Sequence, residues 1–274
     1  MSTSTSRLVP PPDDEVAGAA PRTGSQAVDR ALAVLSLFID ATIDGLTLTE
    51  VAGSADLRPS TAHRLLRALV RAGYLEQDAT TERYRLGTTS ALLGRAAGSA
   101  LGLDLARPVL ERLASATGES ASIGVLDGAD VVILLAVDSA QPLRMERSAG
   151  ARVAAHASAI GKAILAFDPR GSAAAVRSLG DLASFTPSTL TSAADLVAQL
   201  EEIRVDGLAS NREERYPGAA AVAAPILDRR GHARAAVGVQ LPAVRFDGSH
   251  AVGLARQVRE AAVELASLLA VQRR

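Results

Sequence analysis

The stretch LTLTEVAGSADLRPSTAHRLLRALVRAGYL, residues 46–75, decides the architecture of the N-terminal part of the chain. Thr49 is placed to cap a short helix over Glu50–Ala55, because a threonine oxygen can accept from a free amide of the first turn. Asp56, Leu57, Arg58 and Pro59 read as a tight turn, since proline drives the residue before it out of helical geometry. Ser60 then caps a second helix that ends at Gly73. In that helix Ala62, Leu65, Leu66 and Leu69 share one face, and Thr61, Arg64, Arg67 and Arg71 share the other, with His63 at its edge. From Leu57 to Leu75 there are four arginines and no acid. Two short helices about a tight turn, the second with donors exposed near its start, are what a DNA major groove accommodates.

Working outward, YLEQDATTERYRL reads as two short strands about an Asp-Ala-Thr-Thr turn, a β-wing. Upstream, SQAVDRALAVLSLFID places Val28, Ala31, Leu32, Leu35 and Phe38 at helical spacing with Ser25 as cap. Residues 1–24 carry Pro, Ser and acids where a signal peptide needs an apolar run, and read as a disordered arm. Residues 25–87 form the expected winged helix-turn-helix domain. Residues 88–102 form a linker helix broken around Gly98 to Gly102, and residues 103–274 a second domain. There, SIGVLDGADVVILLAV and AAAVAAPILDRRGHARAAVGVQL read as hairpins, LRMERSA as a strand and HASAIGKAILAF as a loop and short helix. A helix starts at Ser192, and GSHAVGLARQVREAAVELASLLAVQ forms a long amphipathic one. Strands and helices mix without strict βαβ alternation, so the class is α+β with a mixed, largely antiparallel sheet.

Composition narrows the function. The 29 basic and 30 acidic residues nearly balance, so DNA binding rests on the local stripe and not on a global field. There is no cysteine, which removes disulfides, thiolate metal sites and cysteine nucleophiles and suits a cytoplasmic protein. Apolar runs such as Ala129–Val137 are too short to span a membrane. No phosphate-cradling glycine loop, dinucleotide fingerprint or metal spacing is present, so neither cofactor nor metal is expected.

The runs SQAVDRALAVLSLF, LTLTEVAGSADLRPSTAHRLLRALVRAGYL and YRLG resemble the winged helix-turn-helix of the IclR-type transcriptional regulators. HASAIGKAILA and DGLASNREERYPGAAAVAAPILDRRGHARAAVGV resemble that family's two effector-domain signatures. The resemblance covers about 240 residues. It implies a GAF-like effector-binding domain, a dimer or tetramer, and repression or activation of genes of catabolism or transport. It also implies a near-palindromic double-stranded operator and a small organic acid as effector. Carried over by position, Ser60, Thr61, His63, Arg64, Arg67 and Arg71 would face DNA, with Arg83 and Arg85 of the wing reaching phosphates.

The same resemblance would line an effector pocket with Met145, Val153, Ala159, Ile160, Asn211, Ala219, Ala221, Gly238 and Gln240. Ala219 and Ala221 are two apart on a strand, as are Gly238 and Gln240, so each pair shares a face. The helix start near Ala159 and Ile160 offers amides to an anion. Ala221 and Gly238 are small where relatives of the family carry larger groups, which implies a carboxylate with a bulkier, even aromatic, body. Lys162 is the chain's single lysine, and His156 reads as a capping residue or a support behind the site, and not as a metal ligand. Two alternatives stay open: a C-terminal domain that only oligomerises, and a hydrolase using Ser120, His156 or Lys162.

Overall fold

The computed structural model describes residues 23–39, 44–145 and 148–269. Residues 1–22 of the expected arm lie outside them. The chain divides into two compact units, one ending at Gly87 and one beginning at Thr88.

In the first unit, α1 (Thr23–Ser36), α2 (Leu48–Ser54) and α3 (Pro59–Arg71) precede an antiparallel pair, β1 (Leu75–Gln77) and β2 (Tyr84–Leu86). The helix-turn-helix and wing stand as the sequence requires, with two corrections at the caps. The N-cap of α2 is Thr47, not Thr49. Its hydroxyl accepts from the Glu50 amide, and Glu50 accepts from the Thr47 amide at 2.7 Å, a reciprocal capping box. The second helix starts with Pro59 at its first position and no side-chain cap, so Ser60 is already helical; proline has no amide to leave unsatisfied there. Asp56 takes a left-handed φ of 51° in the intervening turn, and the Leu57 amide closes it on the Ala52 carbonyl. Val34, Phe38, Val51, Ala62, Leu66, Leu75 and Tyr84 form the core. Val28 and Leu32, expected on the apolar stripe of α1, are instead exposed.

The second unit opens with α4 (Thr88–Leu101) and α5 (Leu103–Thr117), separated at Gly102. Gly102 has φ 81° and lies against the Leu268 carbonyl, so a side chain is excluded both by its backbone and by its neighbour. Then come β3 (Ser120–Asp127), β4 (Asp130–Val137) and β5 (Arg152–Ala154), followed by α6 (Ala159–Ala166), α7 (Ser172–Arg177) and α8 (Ala193–Asp206). The chain continues through β6 (Ala209–Arg212), β7 (Ala219–Leu227), β8 (Ala233–Pro242) and α9 (Gly248–Leu268). The strands form one sheet in the order β5-β4-β3-β8-β7-β6, antiparallel at every pairing among the described residues. Both expected hairpins form, and Ser192 does cap α8 through the Asp195 amide. LRMERSA is not a strand: residues 143–145 and 148–149 carry none, Glu146 and Arg147 lie outside the described residues, and β5 begins at Arg152.

Alternation along the strands makes the sheet two-faced. Ile123, Leu135, Val222, Ile226, Val237, Val239 and Leu241 pack one face against Leu110 and Leu113 of α5 and Leu254, Val258 and Leu265 of α9. The other face packs on α6, α7 and α8 through Val131, Ile133, Ala223 and Ala236. Small residues bring α6 close. A methyl group on Gly161 would fall on the backbone of Ala155, so the loop before α6 passes directly beneath its first turn. Replacing Gly161 with alanine gains about 1 kcal/mol of helix propensity but overpacks a site that cannot yield. Gly161→Ala is therefore expected to lower unfolding stability by about 1–3 kcal/mol net, read as an earlier midpoint in guanidinium denaturation of the full chain.

Candidate functional site

The arginine stripe of the first unit lies on α3. Ala62 and Leu66 are buried, so the opposite side of the helix is outward by geometry. Ser60, His63, Arg64, Arg67 and Arg71 are exposed there, and Thr61 is partly so. The wing arginines stand differently. Arg83 donates through Nη2 to the Gly45 carbonyl at 2.8 Å and to Glu50 at 3.1 Å. It thereby ties β2 to the capping box of α2. Arg85 pairs with Asp78 at 2.7 Å and keeps about 41% of its side chain exposed. Asp78 also accepts from the Thr80 and Thr81 amides, which fixes the wing turn and holds its carboxyl below the usual range.

On the α6 side of the second unit's sheet lies a cavity with about 510 Å³ of unfilled space, its open mouth included. Val153, Ala159 and Ile160 line it, with Asn211, Ala219 and Ala221 of the β6–β7 region and Gly238 and Gln240 of β8. The sequence-expected residues thus converge, except Met145, which does not line it. The register explains the convergence. Asn211 pairs with Ala221, Ala221 with Gln240, and Ala223 with Gly238, so these positions form rows across one face. Ser122, Ile133, Arg215 and Tyr216 also line the cavity and were not anticipated.

Gly238 contributes close approach more than open volume. A Cβ there would meet the Val222 carbonyl at 2.8 Å and the Ile160 side chain at 3.2 Å, and one on Gly124 would meet Ile160 at 3.1 Å. Ile160 thus sits in a notch left by two glycines, and the space expected from Gly238 is already occupied. Asn211 is also committed: its Nδ2 donates to the Ala157 carbonyl at 2.6 Å, and its Oδ1 accepts from the Glu214 amide. At the start of α6, Ser158 accepts from the Gly161 amide. No protein acceptor among the described residues serves the amides of Ala159 and Ile160, which helical geometry leaves without intrahelical partners.

Beneath the cavity, Lys162 is fully buried and donates to Glu214 at 2.6 Å and to Gln199 of α8 at 2.9 Å. Burial pushes its ammonium below the usual lysine range, and Glu214 pulls against that shift. The Glu214 carbonyl accepts from the Thr189 hydroxyl at 2.6 Å. His156 lies 2.9 Å from the Ala183 carbonyl through Nε2 and stacks on Phe185. Ser120 accepts from the Ser139 amide. Ser120, His156 and Lys162 thus serve three separate structural bonds, and none is hydrogen-bonded to another.

A helix-turn-helix unit followed by a cavity-bearing α+β unit is the architecture of a transcriptional regulator. Comparison with known proteins agrees. The family model "IclR helix-turn-helix domain" matches residues 27–79, and "Bacterial transcriptional regulator IclR C-terminal" matches residues 102–267. The chain is 41% identical to the HTH-type transcriptional regulator BhcR of Paracoccus denitrificans, over 90% of this chain and 88% of that one. An IclR-type regulator from Alicyclobacillus acidocaldarius superposes with TM-score 0.80 at 26% identity, covering 89% of this chain and 98% of that one. An IclR homolog from Microbacterium hydrocarbonoxydans, complexed with 4-hydroxybenzoate, shares the fold with TM-score 0.74 at 24% identity, covering 89% and 99%. The chain belongs to the IclR family of bacterial transcriptional regulators; it is a regulator and not an enzyme.

Removing one member of the buried pair leaves the other charged and unpaired. Lys162→Met is expected to destabilise the chain by about 3–5 kcal/mol. The double variant with Glu214→Gln should lose less than Lys162→Met alone, because no uncompensated carboxylate remains. Guanidinium denaturation of both variants checks the order.

Proposed function

We propose that the chain controls transcription in the cytoplasm by holding a near-palindromic operator through α3 and the wing, with an affinity set by a small carboxylate bound in the second unit's cavity. The carrying observation is the cavity itself: apolar, small-residue walls with two unpaired amides, Ala159 and Ile160, at a helix start. Few polar groups among apolar walls is the usual make-up of a small-molecule site, and helix-start amides favour an anion. An aromatic or longer body suits walls with Ala219, Ala221 and Gln240 on one face. The IclR homolog from Microbacterium hydrocarbonoxydans, complexed with 4-hydroxybenzoate, supports an aromatic body. No helix among the described residues is long and apolar enough to cross a membrane. Val28 and Leu32 on α1, and Leu92 and Leu93 on α4, are large apolar side chains left exposed, which supports self-association as a dimer or tetramer.

Within the DNA-facing group, Arg64, exposed one turn into α3, is the proposed base reader. Arg67 and Arg71 are assigned to the duplex backbone, with Ser60, Thr61 and His63 around them. Arg85 is the more available wing contact, since Arg83 is already engaged by Gly45 and Glu50. Arg64→Ala is expected to cost about 1–3 kcal/mol on the specific operator and to relax preference at one base position. Equal losses on operator and random DNA would reassign it to phosphate contact.

The effector reading is tested by a thermal-shift screen of the full chain against pyruvate-sized, longer-chain and aromatic acids, followed by operator binding with each acid that stabilises it. Aromatic or longer acids should raise the melting temperature and change operator affinity. Stabilisation by the smallest acids alone would overturn the proposed body. Stabilisation without any change in operator affinity would favour a domain that only oligomerises.

A further inference from the structure

Arg215 was invisible as a site residue in the sequence, yet it is the most unusual group in the cavity wall. Its guanidinium lies over the Phe185 ring, 3.8 Å from the centroid, and 4.9 Å from that of Tyr216. Its Nε is buried and has no hydrogen-bond acceptor. Among the described residues it forms no ion pair, because the two acids beside it are engaged elsewhere. Glu214 is held by Lys162, and Glu213 accepts from the Gly218 amide at 2.8 Å. The backbone carrying it is fixed as well. Thr186 donates to the Glu213 carbonyl and Thr189 to the Glu214 carbonyl, each at 2.6 Å. The same Thr189 hydroxyl accepts from the Phe185 amide, so the ring beneath the guanidinium and the loop that carries it are bonded to each other.

We infer that Arg215 makes this cavity selective for an ionised carboxylate over its neutral isosteres, acting as the charged specificity determinant of the effector site. The inference rests on the reading of the cavity as that site. Helix-start amides carry only partial charge, so they favour a carboxylate modestly and still donate to an aldehyde, ester or amide oxygen. A full positive charge does not treat them alike. With its Cζ 3.8 Å over the Phe185 centroid the guanidinium is held by a ring that accepts no N–H bond at its edge, and arginine binds a planar carboxylate through such an edge with two parallel hydrogen bonds. An unpaired, part-buried cation in a cavity wall is a cost to the empty protein that an anionic ligand removes and a neutral one does not.

The test is isothermal titration of the full chain with matched acid and amide pairs: pyruvate and pyruvamide, benzoate and benzamide, phenylacetate and phenylacetamide, hexanoate and hexanamide. For any pair that binds, the native chain should prefer the acid by at least about tenfold. Arg215→Gln should cut the acid's affinity about tenfold to a hundredfold and bring the acid-to-amide ratio close to one. Arg215→Lys should recover part of the preference, since it keeps the charge but not the planar fork. Amide affinity in the variants reports whether the cavity still stands, which a merely structural role for Arg215 would move. Acid and amide bound alike by the native chain, or an acid preference that survives Arg215→Gln, would overturn the inference and leave the effector reading intact. A native chain that binds no member of the panel would overturn both.

Discussion

The cavity of the second unit depends on one buried ion pair. Lys162 and Glu214 meet at 2.6 Å with essentially no solvent exposure, and each lies on a segment that also carries cavity-lining residues. Lys162 is on α6, whose start offers the free amides; Glu214 is on the loop that presents Arg215; and Gln199, the second acceptor, brings in α8. Such a pair contributes little net stability compared with a well-packed apolar core of the same volume. Its worth lies in geometry, because the Lys162 ammonium ties α6, α8 and the Glu214 loop together through two short hydrogen bonds. The remaining polar bonds repeat the theme. Asn211 joins the loop before α6 to the Glu214 amide, and Thr186 and Thr189 hold the Glu213–Glu214 carbonyls.

Apolar packing sets the distance at which this frame stands. Gly161 lets α6 rest on the Ala155 backbone, and Gly124 and Gly238 open the notch that receives Ile160. The helix start is thereby pressed toward the sheet, while Ala219 and Ala221 keep the neighbouring strand low. A cavity persists beside Ile160 because small side chains line one half of the sheet face and larger ones fill the other.

The helix-turn-helix was legible because every signal is local: a proline at a helix start, a leucine stripe at helical spacing, an arginine stripe opposite it. Its cap was misassigned between two threonines, although Thr47 and Glu50 form a T-x-x-E box that names the first. The burial phase of α1 was missed because Val28 and Leu32 carry the same periodicity as Val34 and Phe38, and a sequence does not say which stripe the rest of the fold covers. In the second unit, strand alternation together with the family resemblance located most of the cavity wall. Arg215 escaped because NREERYPG reads as a solvated charged run. What separates Glu214 from Arg215 is a lysine and a phenylalanine far away in sequence, each removing one of the neighbours from the surface.

Ligand control of operator affinity requires that the ligand site and the DNA site share a coupling free energy. Such coupling is reciprocal: whatever factor the ligand imposes on operator affinity, the operator must impose on ligand affinity. The direct measurement is a closed thermodynamic cycle by titration calorimetry on the full chain, with ligand affinity determined free and operator-bound, and operator affinity determined with and without saturating ligand. Coupling of the two sites gives two equal factors, each at least about fivefold, the lower end of ordinary allosteric coupling. Ligand affinity that is the same on the free and the operator-bound chain would contradict it.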